Sequence, residues 1–214
     1  MSSSTPCKSA PLKCLEPRMH PRRTVLSYCA SQLLLGAGLG AGATLARAQA
    51  QEPATALAPA EVRSALSGAR WAGSARLRYW GFDVYDARLW VPDDFRASRF
   101  AQHALMLELA YLRGLQGRLI AERSLEEMRR GAAIEPAQAQ RWLAAMQDAF
   151  PDVSAGDRLT GLHRPAVGAR FWFNGQLRAV IADPEFSRRF FGIWLAPSTS
   201  EPQMRSALLA RAAP

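Results

Sequence analysis

Two arginines on one candidate strand, Arg76 and Arg78, are the side chains in this sequence best suited to bind an anion. They alternate with apolar residues in the run 75–79, so both project to the same side of a β-strand, and Trp80 continues that side. A guanidinium beside aromatic rings can hold a carboxylate through two parallel hydrogen bonds, or stabilise an oxyanion that develops during a reaction. The alternative is an exposed sheet face, where arginine is an ordinary residue. The residues alone leave both interpretations open.

Other kinds of catalytic or metal-binding chemistry have little support in the sequence. Beyond residue 50 the histidines are His103 and His163, and neither has a cysteine or a carboxylate at metal-ligand spacing. All three cysteines lie in the first 50 residues and no Gly-x-Ser-x-Gly motif is present, so no thiol or serine nucleophile is predicted. Asp152 and Asp157 flank a short turn and suit turn or capping roles better than calcium binding. We therefore predict no metal and no cofactor.

Positive charge is concentrated at the amino terminus. The 214 residues contain 27 Lys+Arg and 18 Asp+Glu, which gives a formal net charge of +9. Residues 1–50 hold six of the basic residues and one of the acidic residues, so they account for more than half of the excess. Beyond residue 50 every basic residue is an arginine, and no basic run is longer than two residues. This distribution argues against a nucleic-acid partner.

Residues 1–50 have the pattern of a signal peptide. An arginine pair at 22–23 precedes a mostly apolar, uncharged stretch at 25–45, and small residues at 46–50 match a cleavage site. The arginine pair also suits a twin-arginine export signal, and Met19 is an alternative start. We predict export to the periplasm or secretion. The alternative is an uncleaved membrane anchor, because the apolar stretch is about long enough to span a bilayer.

The rest of the chain predicts a linker with a short helix at 51–70 and one α+β domain at 71–214. Strand-like runs lie at 75–79, 82–91, 105–112 and 157–162, and helical runs lie at 118–130, 136–150, 183–195 and 200–209. Alternating residues on both sides of Asn174-Gly175 indicate a β-hairpin with a two-residue type I′ turn. Asp183 followed by Pro184 is typical of a helix start. The order of the runs predicts a large, mainly antiparallel sheet covered on one face by helices.

Short blocks along 71–209 resemble the bacterial chalcone isomerase-like family in their order and spacing. The blocks are 81–90, 107–113, 150–153 with 156–157, 173–175, 183–187, 191–195 and 199–202. The resemblance implies an open-faced β-sandwich, in which a helical layer covers one face of the sheet and a ligand cleft lies between them. This architecture agrees with the order of strands and helices read from the residues alone.

The resemblance also implies two kinds of function. Plant isomerases of the wider family cyclise a chalcone to a flavanone with the help of a pocket lysine, and this chain has no lysine beyond residue 50. Fatty-acid-binding relatives hold a carboxylate with an arginine on the first strand and a tyrosine on the second. Tyr85 falls at that tyrosine, and either Arg76 or Arg78 falls at the arginine. Tyr111, on the apolar face of the third strand, is the fourth candidate ligand-binding residue.

We therefore expect an exported, non-catalytic protein that binds a small apolar or amphipathic ligand such as a fatty acid. The second hypothesis is an intramolecular lyase of the chalcone isomerase type, in which Arg78 or Arg76 stabilises the enolate oxygen. The third is a structural or interaction module without a ligand. A membrane contact is expected only through an uncleaved signal segment, and the oligomeric state stays open.

Overall fold

A six-stranded antiparallel sheet, with the strands in sequence order, is the framework of the molecule. The computed structural model describes residues 57–214, so the predicted signal peptide lies outside the described residues. The strands are β1 (Arg70–Tyr79), β2 (Phe82–Val91), β3 (Leu105–Tyr111), β4 (Arg158–Arg164), β5 (Gly168–Phe173) and β6 (Gln176–Ile181). The helices are α1 (Ala60–Ala65), α2 (Gly117–Gly131), α3 (Pro136–Ala149), α4 (Pro184–Leu195) and α5 (Pro202–Leu208), with a 3-10 helix at Ala97–Gln102. This arrangement confirms the predicted α+β fold.

The inner face of the sheet is built by the apolar residues of the alternating strands. In β2, Ala87 and Leu89 are fully buried, and they join one continuous core with residues of β3, β4 and β5. Tyr85 of β2 lies opposite Tyr111 of β3, and their rings meet edge to face at 5.9 Å between centroids. Because side chains alternate along a strand, this register places both tyrosines on the inner face.

Two tight turns of the type I′ kind connect neighbouring strands. Asn174 and Gly175 have φ angles of 49° and 84° and join β5 to β6, which confirms the predicted hairpin. Trp80 and Gly81 have φ angles of 51° and 79° and join β1 to β2 in the same way. The prediction that Trp80 continues the first strand is wrong, because β1 ends at Tyr79 and Trp80 occupies the turn. A bulky residue with a left-handed conformation costs about 1–2 kcal/mol.

Four helices cover the inner face, but they do not all rest on it. α4 packs against β4 and β5, α5 against β1, and α3 against β6, whereas α2 packs mainly against α3 and α4. At the start of α2, the Gly117 amide donates to the Asp152 carboxylate at 2.8 Å, a capping contact. A Cβ added to Gly117 would stand 2.1 Å from the Phe150 carbonyl oxygen, so only glycine allows this approach. The first residue of α2 is therefore fixed by these contacts. The rest of the helix is held above the sheet by α3 and α4.

The start of α4 follows the predicted pattern. The Asp183 side chain accepts a hydrogen bond from the Phe186 amide at 3.0 Å, and Pro184 lies in the first turn. The other carboxylate oxygen of Asp183 accepts from the Trp142 indole at 2.7 Å. One acidic side chain thus begins α4 and also ties it to α3.

The outer face of the sheet carries α1. The sequence predicted this short helix but not the face of the sheet on which it lies. Val62 is fully buried in a second apolar cluster with Trp90, Met106, Leu162 and Trp172. Beside it, the buried Glu61 carboxylate accepts from Arg158 at 2.9 Å and from Thr160 at 3.0 Å. α1 is therefore held by both apolar and ionic contacts. Among residues 57–214, no helix is both long enough and apolar enough to cross a bilayer.

Candidate ligand-binding cavity

A cavity of about 450 Å³ lies between α2 and the inner face of the sheet. It exists because α2 rests on α3 and α4 and leaves the middle of the sheet uncovered. Its apolar wall includes Leu107, Leu109 and Leu159 from the strands and Ile120, Phe190 and Trp194 from the helices. Small-molecule sites in proteins typically occupy about 300–1,000 Å³. The space is therefore large enough for a ligand with a substantial apolar part.

Both candidate tyrosines lie in the cavity wall. The Tyr85 hydroxyl accepts a hydrogen bond from the Trp194 indole at 3.0 Å, which leaves its own O–H free to donate. Within the part of the chain that the structure describes, no hydrogen-bond partner of the Tyr111 hydroxyl is found. Burial raises the pKa of both phenols, so both are neutral donors at physiological pH. The apolar space thus contains two hydroxyl groups that can bind an oxygen atom.

Arg76 and Arg78 lie on the outer face of β1 and do not line the cavity. Arg76 holds both carboxylate oxygens of Asp86, at 2.6 and 2.8 Å, and one oxygen of Asp83 at 2.9 Å. Arg78 donates to Asp83 at 2.7 Å, and the two guanidiniums hold the pKa of Asp83 below its ordinary value. The structure thus differs from the expectation that one of these arginines faces the ligand, because Leu77 occupies the inner side between them.

Two other arginines line the cavity, and neither was predicted from the sequence. Arg123 of α2 pairs with Glu126 at 3.2 Å and with Glu127 at 2.5 Å. Arg113 follows β3, and its guanidinium lies 5.0 Å from the centroid of the Phe82 ring. No carboxylate among residues 57–214 forms an ion pair with Arg113, which is exposed at the opening of the cavity. The alternation of side chains along β3 could have identified Arg113, because it comes two residues after the inward-facing Tyr111 and so lies on the same side.

Two carboxylates in the cavity wall, Glu127 and Glu201, limit what it accepts. The Glu127 side chain is 8% exposed, and its Oε2 forms no hydrogen bond, although Arg130 lies 3.5 Å from it. Burial is the main cause of the raised pKa of Tyr85, and the charges of Glu201 and Glu127 add to it. Arg123 and Arg130 offset the charge of Glu127, so these arginines are already paired. Arg113 has no carboxylate partner among residues 57–214, and an anionic group of a ligand is therefore favoured beside it.

The two histidines of residues 57–214 lie away from this cavity. His163 is buried in β4 and contacts Ser187 and the Ala101 carbonyl. His103 packs edge to face against Phe95. In the segment that the structure covers, no three His, Cys, Asp or Glu side chains are grouped so that they could hold a metal ion. The cavity chemistry is thus that of an apolar wall with a few hydroxyl and charged groups.

Comparison with known proteins agrees with this architecture. The model of the chalcone isomerase-like family matches residues 70–210, and the chain belongs to this family. An uncharacterized protein of Haemophilus influenzae is 29% identical over 150 residues, which cover 69% of this chain and 72% of that protein. The crystal structure of a fatty-acid binding protein of Arabidopsis thaliana matches with a TM-score of 0.54 at 14% identity, over 74% of this chain and 94% of that one. At this identity the structural likeness shows a shared fold.

Proposed function

We propose that this chain is an exported protein that binds a small amphipathic acid of the fatty-acid type and does not change it chemically. The observation that carries the proposal is the cavity of about 450 Å³, whose wall is mostly apolar. Arg113 lies at its edge and has no carboxylate partner among the described residues. A protein of the same fold whose name states fatty-acid binding supports it.

The apolar wall supplies most of the affinity in this proposal. Each methylene group transferred from water to such a space contributes about 0.8 kcal/mol. The aromatic side chains of α4, Phe190 and Trp194, form one side of the space, and the leucines of β3 form the other. A hydrocarbon chain in this space would contact apolar side chains over most of its length.

The acid group lies next to Arg113 in this proposal. Arg113 is exposed at the opening, and a guanidinium can hold a carboxylate through two hydrogen bonds. Tyr85 and Tyr111 remain ligand contacts, as neutral donors in the wall that accommodate an oxygen atom along the chain of the ligand. The reverse orientation, with the carboxylate inside, is disfavoured because the other arginine of the cavity wall, Arg123, is already paired with Glu127.

Two features of the chain favour binding over chalcone cyclisation. Arg76 and Arg78, the arginines that the resemblance would place beside the enolate oxygen, are engaged with aspartates on the outer face. The pocket lysine of the plant enzymes has no counterpart, since no lysine follows residue 50.

Titration calorimetry of the delipidated protein with palmitate tests the proposal. We expect Arg113→Gln to weaken binding about tenfold, because the carboxylate loses its charged partner, and the matched variant Arg78→Gln to bind like the wild type. Native mass spectrometry of the freshly purified protein should show a bound acid.

Three results would contradict this proposal. The wild type does not bind palmitate, or the protein converts a chalcone, or Arg78→Gln weakens binding while Arg113→Gln does not. The last result would restore the first-strand site that the sequence predicted.

A further inference from the structure

Exposed aromatic and apolar side chains surround the opening of the cavity. Tyr79 is 56% exposed, Trp80 84%, Phe82 61% and Leu119 46%. Together with Arg113 these residues are named the mouth patch. All five line the cavity and also face solvent, so the patch is the rim of an opening and not a set of scattered surface residues.

We propose that the mouth patch docks on the surface of a lipid bilayer that contains anionic lipid, so that the cavity opens toward the bilayer. This inference goes beyond the proposed function, because it concerns a contact of the protein without its ligand. It also differs from anchoring through an uncleaved signal segment, since it uses residues of the folded domain.

Trp80 is the main reason for choosing a bilayer. It occupies a turn position with φ of 51°, where Asn or Gly is the ordinary residue, and its ring neighbour is Tyr79, with 6.3 Å between centroids. An exposed tryptophan at this position contributes nothing to the core of residues 57–214. Tryptophan and tyrosine are the residues preferred at the boundary between lipid and water, because one part of each ring is polar and the rest is apolar.

The charge of the patch suits an anionic lipid surface. Arg113 lies over Phe82, and no carboxylate of the described chain neutralises it. Residues 57–214 contain 21 arginines and 16 acidic residues, a formal net charge of +5. The whole described domain is therefore attracted to a negatively charged surface, and Arg113 places one positive group beside the apolar side chains that make contact.

The size of the patch favours a bilayer over a second protein. Five side chains are far fewer than the roughly 20–30 residues a side of a stable protein interface. A bilayer needs no complementary shape, and shallow insertion of a few aromatic and apolar side chains is sufficient. A hydrocarbon chain would then pass between the lipid and the cavity without crossing water.

Vesicle flotation of the ligand-free protein tests the inference. The vesicles are phosphatidylcholine alone, or phosphatidylcholine with phosphatidylglycerol. The patch variant combines Trp80→Asn, which suits the positive φ, with Phe82→Thr. The control combines Leu177→Thr with Val180→Thr, two residues of β6 that are 55% and 57% exposed and do not line the cavity.

We expect the wild type and the control to float with the phosphatidylglycerol vesicles, and less with phosphatidylcholine alone. The patch variant should lower the bound fraction about fivefold or more. All proteins are compared in the form that the expression host produces, with the amino terminus read by mass spectrometry. Because no fatty acid is present, failure here is separate from failure of the proposed function.

Three outcomes would overturn the inference. The wild type does not float with anionic vesicles, or the patch and control variants float equally, or the wild type forms a dimer in size-exclusion chromatography that the patch variant abolishes. The third outcome would assign the patch to a contact between two copies of this chain. If thermal unfolding shows that the double variant is not folded, Trp80→Asn alone replaces it.

Discussion

His163 is a titratable side chain that the fold encloses almost completely, with 1% of its surface exposed. Its Nε2–H donates to the Ala101 carbonyl at 3.2 Å, so that Nδ1 accepts from the Ser187 hydroxyl at 2.6 Å. Burial lowers its pKa from the ordinary value of 6.5. The unfolded chain therefore binds this proton more readily than the folded chain, and protonation favours unfolding.

We expect the free energy of unfolding to fall as the pH drops below about 6.5, the pKa of an unfolded histidine. His163→Gln should remove this part of the pH dependence and lower stability by about 1–3 kcal/mol through lost hydrogen bonds. Urea unfolding at a series of pH values measures both effects.

The acidic groups affect the free energy of unfolding at a lower pH than His163 does. The pKa values of Asp83, Asp157 and Glu185 are lowered by hydrogen bonds, so their contributions to stability are lost only below about pH 4. An unchanged slope in His163→Gln would show that this histidine does not cause the pH dependence.

The orientation of single residues was predicted well on β2 and β3 and less well on β1. The alternation in β2 and β3 placed Tyr85 and Tyr111 each on the apolar face of its own strand, and the register of the sheet brings the two faces together. In β1 the alternation put Arg76 and Arg78 on one side, which the structure also shows, but their assignment to the cleft came from the family resemblance. The residues alone do not show that the main helical layer covers the opposite side of β1 and that Arg76 and Arg78 pair with aspartates at the surface.

At the level of elements, the two faces of the sheet differ in how tightly they are packed. Leu109 faces the cavity, whereas Leu162 lies in the closed cluster beneath α1. A phenylalanine ring in place of Leu109 would therefore extend into empty space. The same ring in place of Leu162 would meet close-packed atoms. The same substitution at the two positions compares the two faces directly.

We expect Leu109→Phe to change the free energy of unfolding by less than about 1 kcal/mol and to weaken palmitate binding, because it fills part of the cavity. Leu162→Phe should cost about 1–3 kcal/mol through overpacking and leave the affinity unchanged. Urea unfolding and titration calorimetry measure the two quantities. The reverse pattern would mean that the ligand does not occupy this cavity.

The elements themselves were predictable because their signals are local. The Asn174-Gly175 turn and the Asp183 helix start depend on neighbouring residues, and both were predicted. The gap beneath α2 depends on the contact of Gly117 with Phe150, 33 positions further along the chain. A pattern within one helix cannot reveal a contact at that separation.

At the scale of the whole molecule, the charge distribution separates the predicted signal segment from the domain. The arginine pair at 22–23 and the apolar stretch at 25–45 lie outside the described residues, and their role stays a prediction. We expect the mature protein to begin after residue 48 or 50, and to be found in the periplasm of a bacterial host.

Fractionation and mass spectrometry of the amino terminus test this export. Changing both arginines, Arg22→Lys and Arg23→Lys, should retain the protein in the cytoplasm if the twin-arginine route is used. A full-length protein in the cytoplasm of the unmodified strain would contradict the prediction of a cleaved signal.

The support of α2 by other helices has a consequence for the range of ligands that this fold can take. α2 is anchored at Gly117 and otherwise packs mainly on α3 and α4, so moving it outward breaks no hydrogen bond of the sheet. The position of α2 can therefore change the width of the accepted ligand while the strands and α4 keep their places. Substitutions at the contacts of α2 with α3 and α4 can adapt the fold to wider or narrower molecules while its hydrogen-bonded framework stays the same.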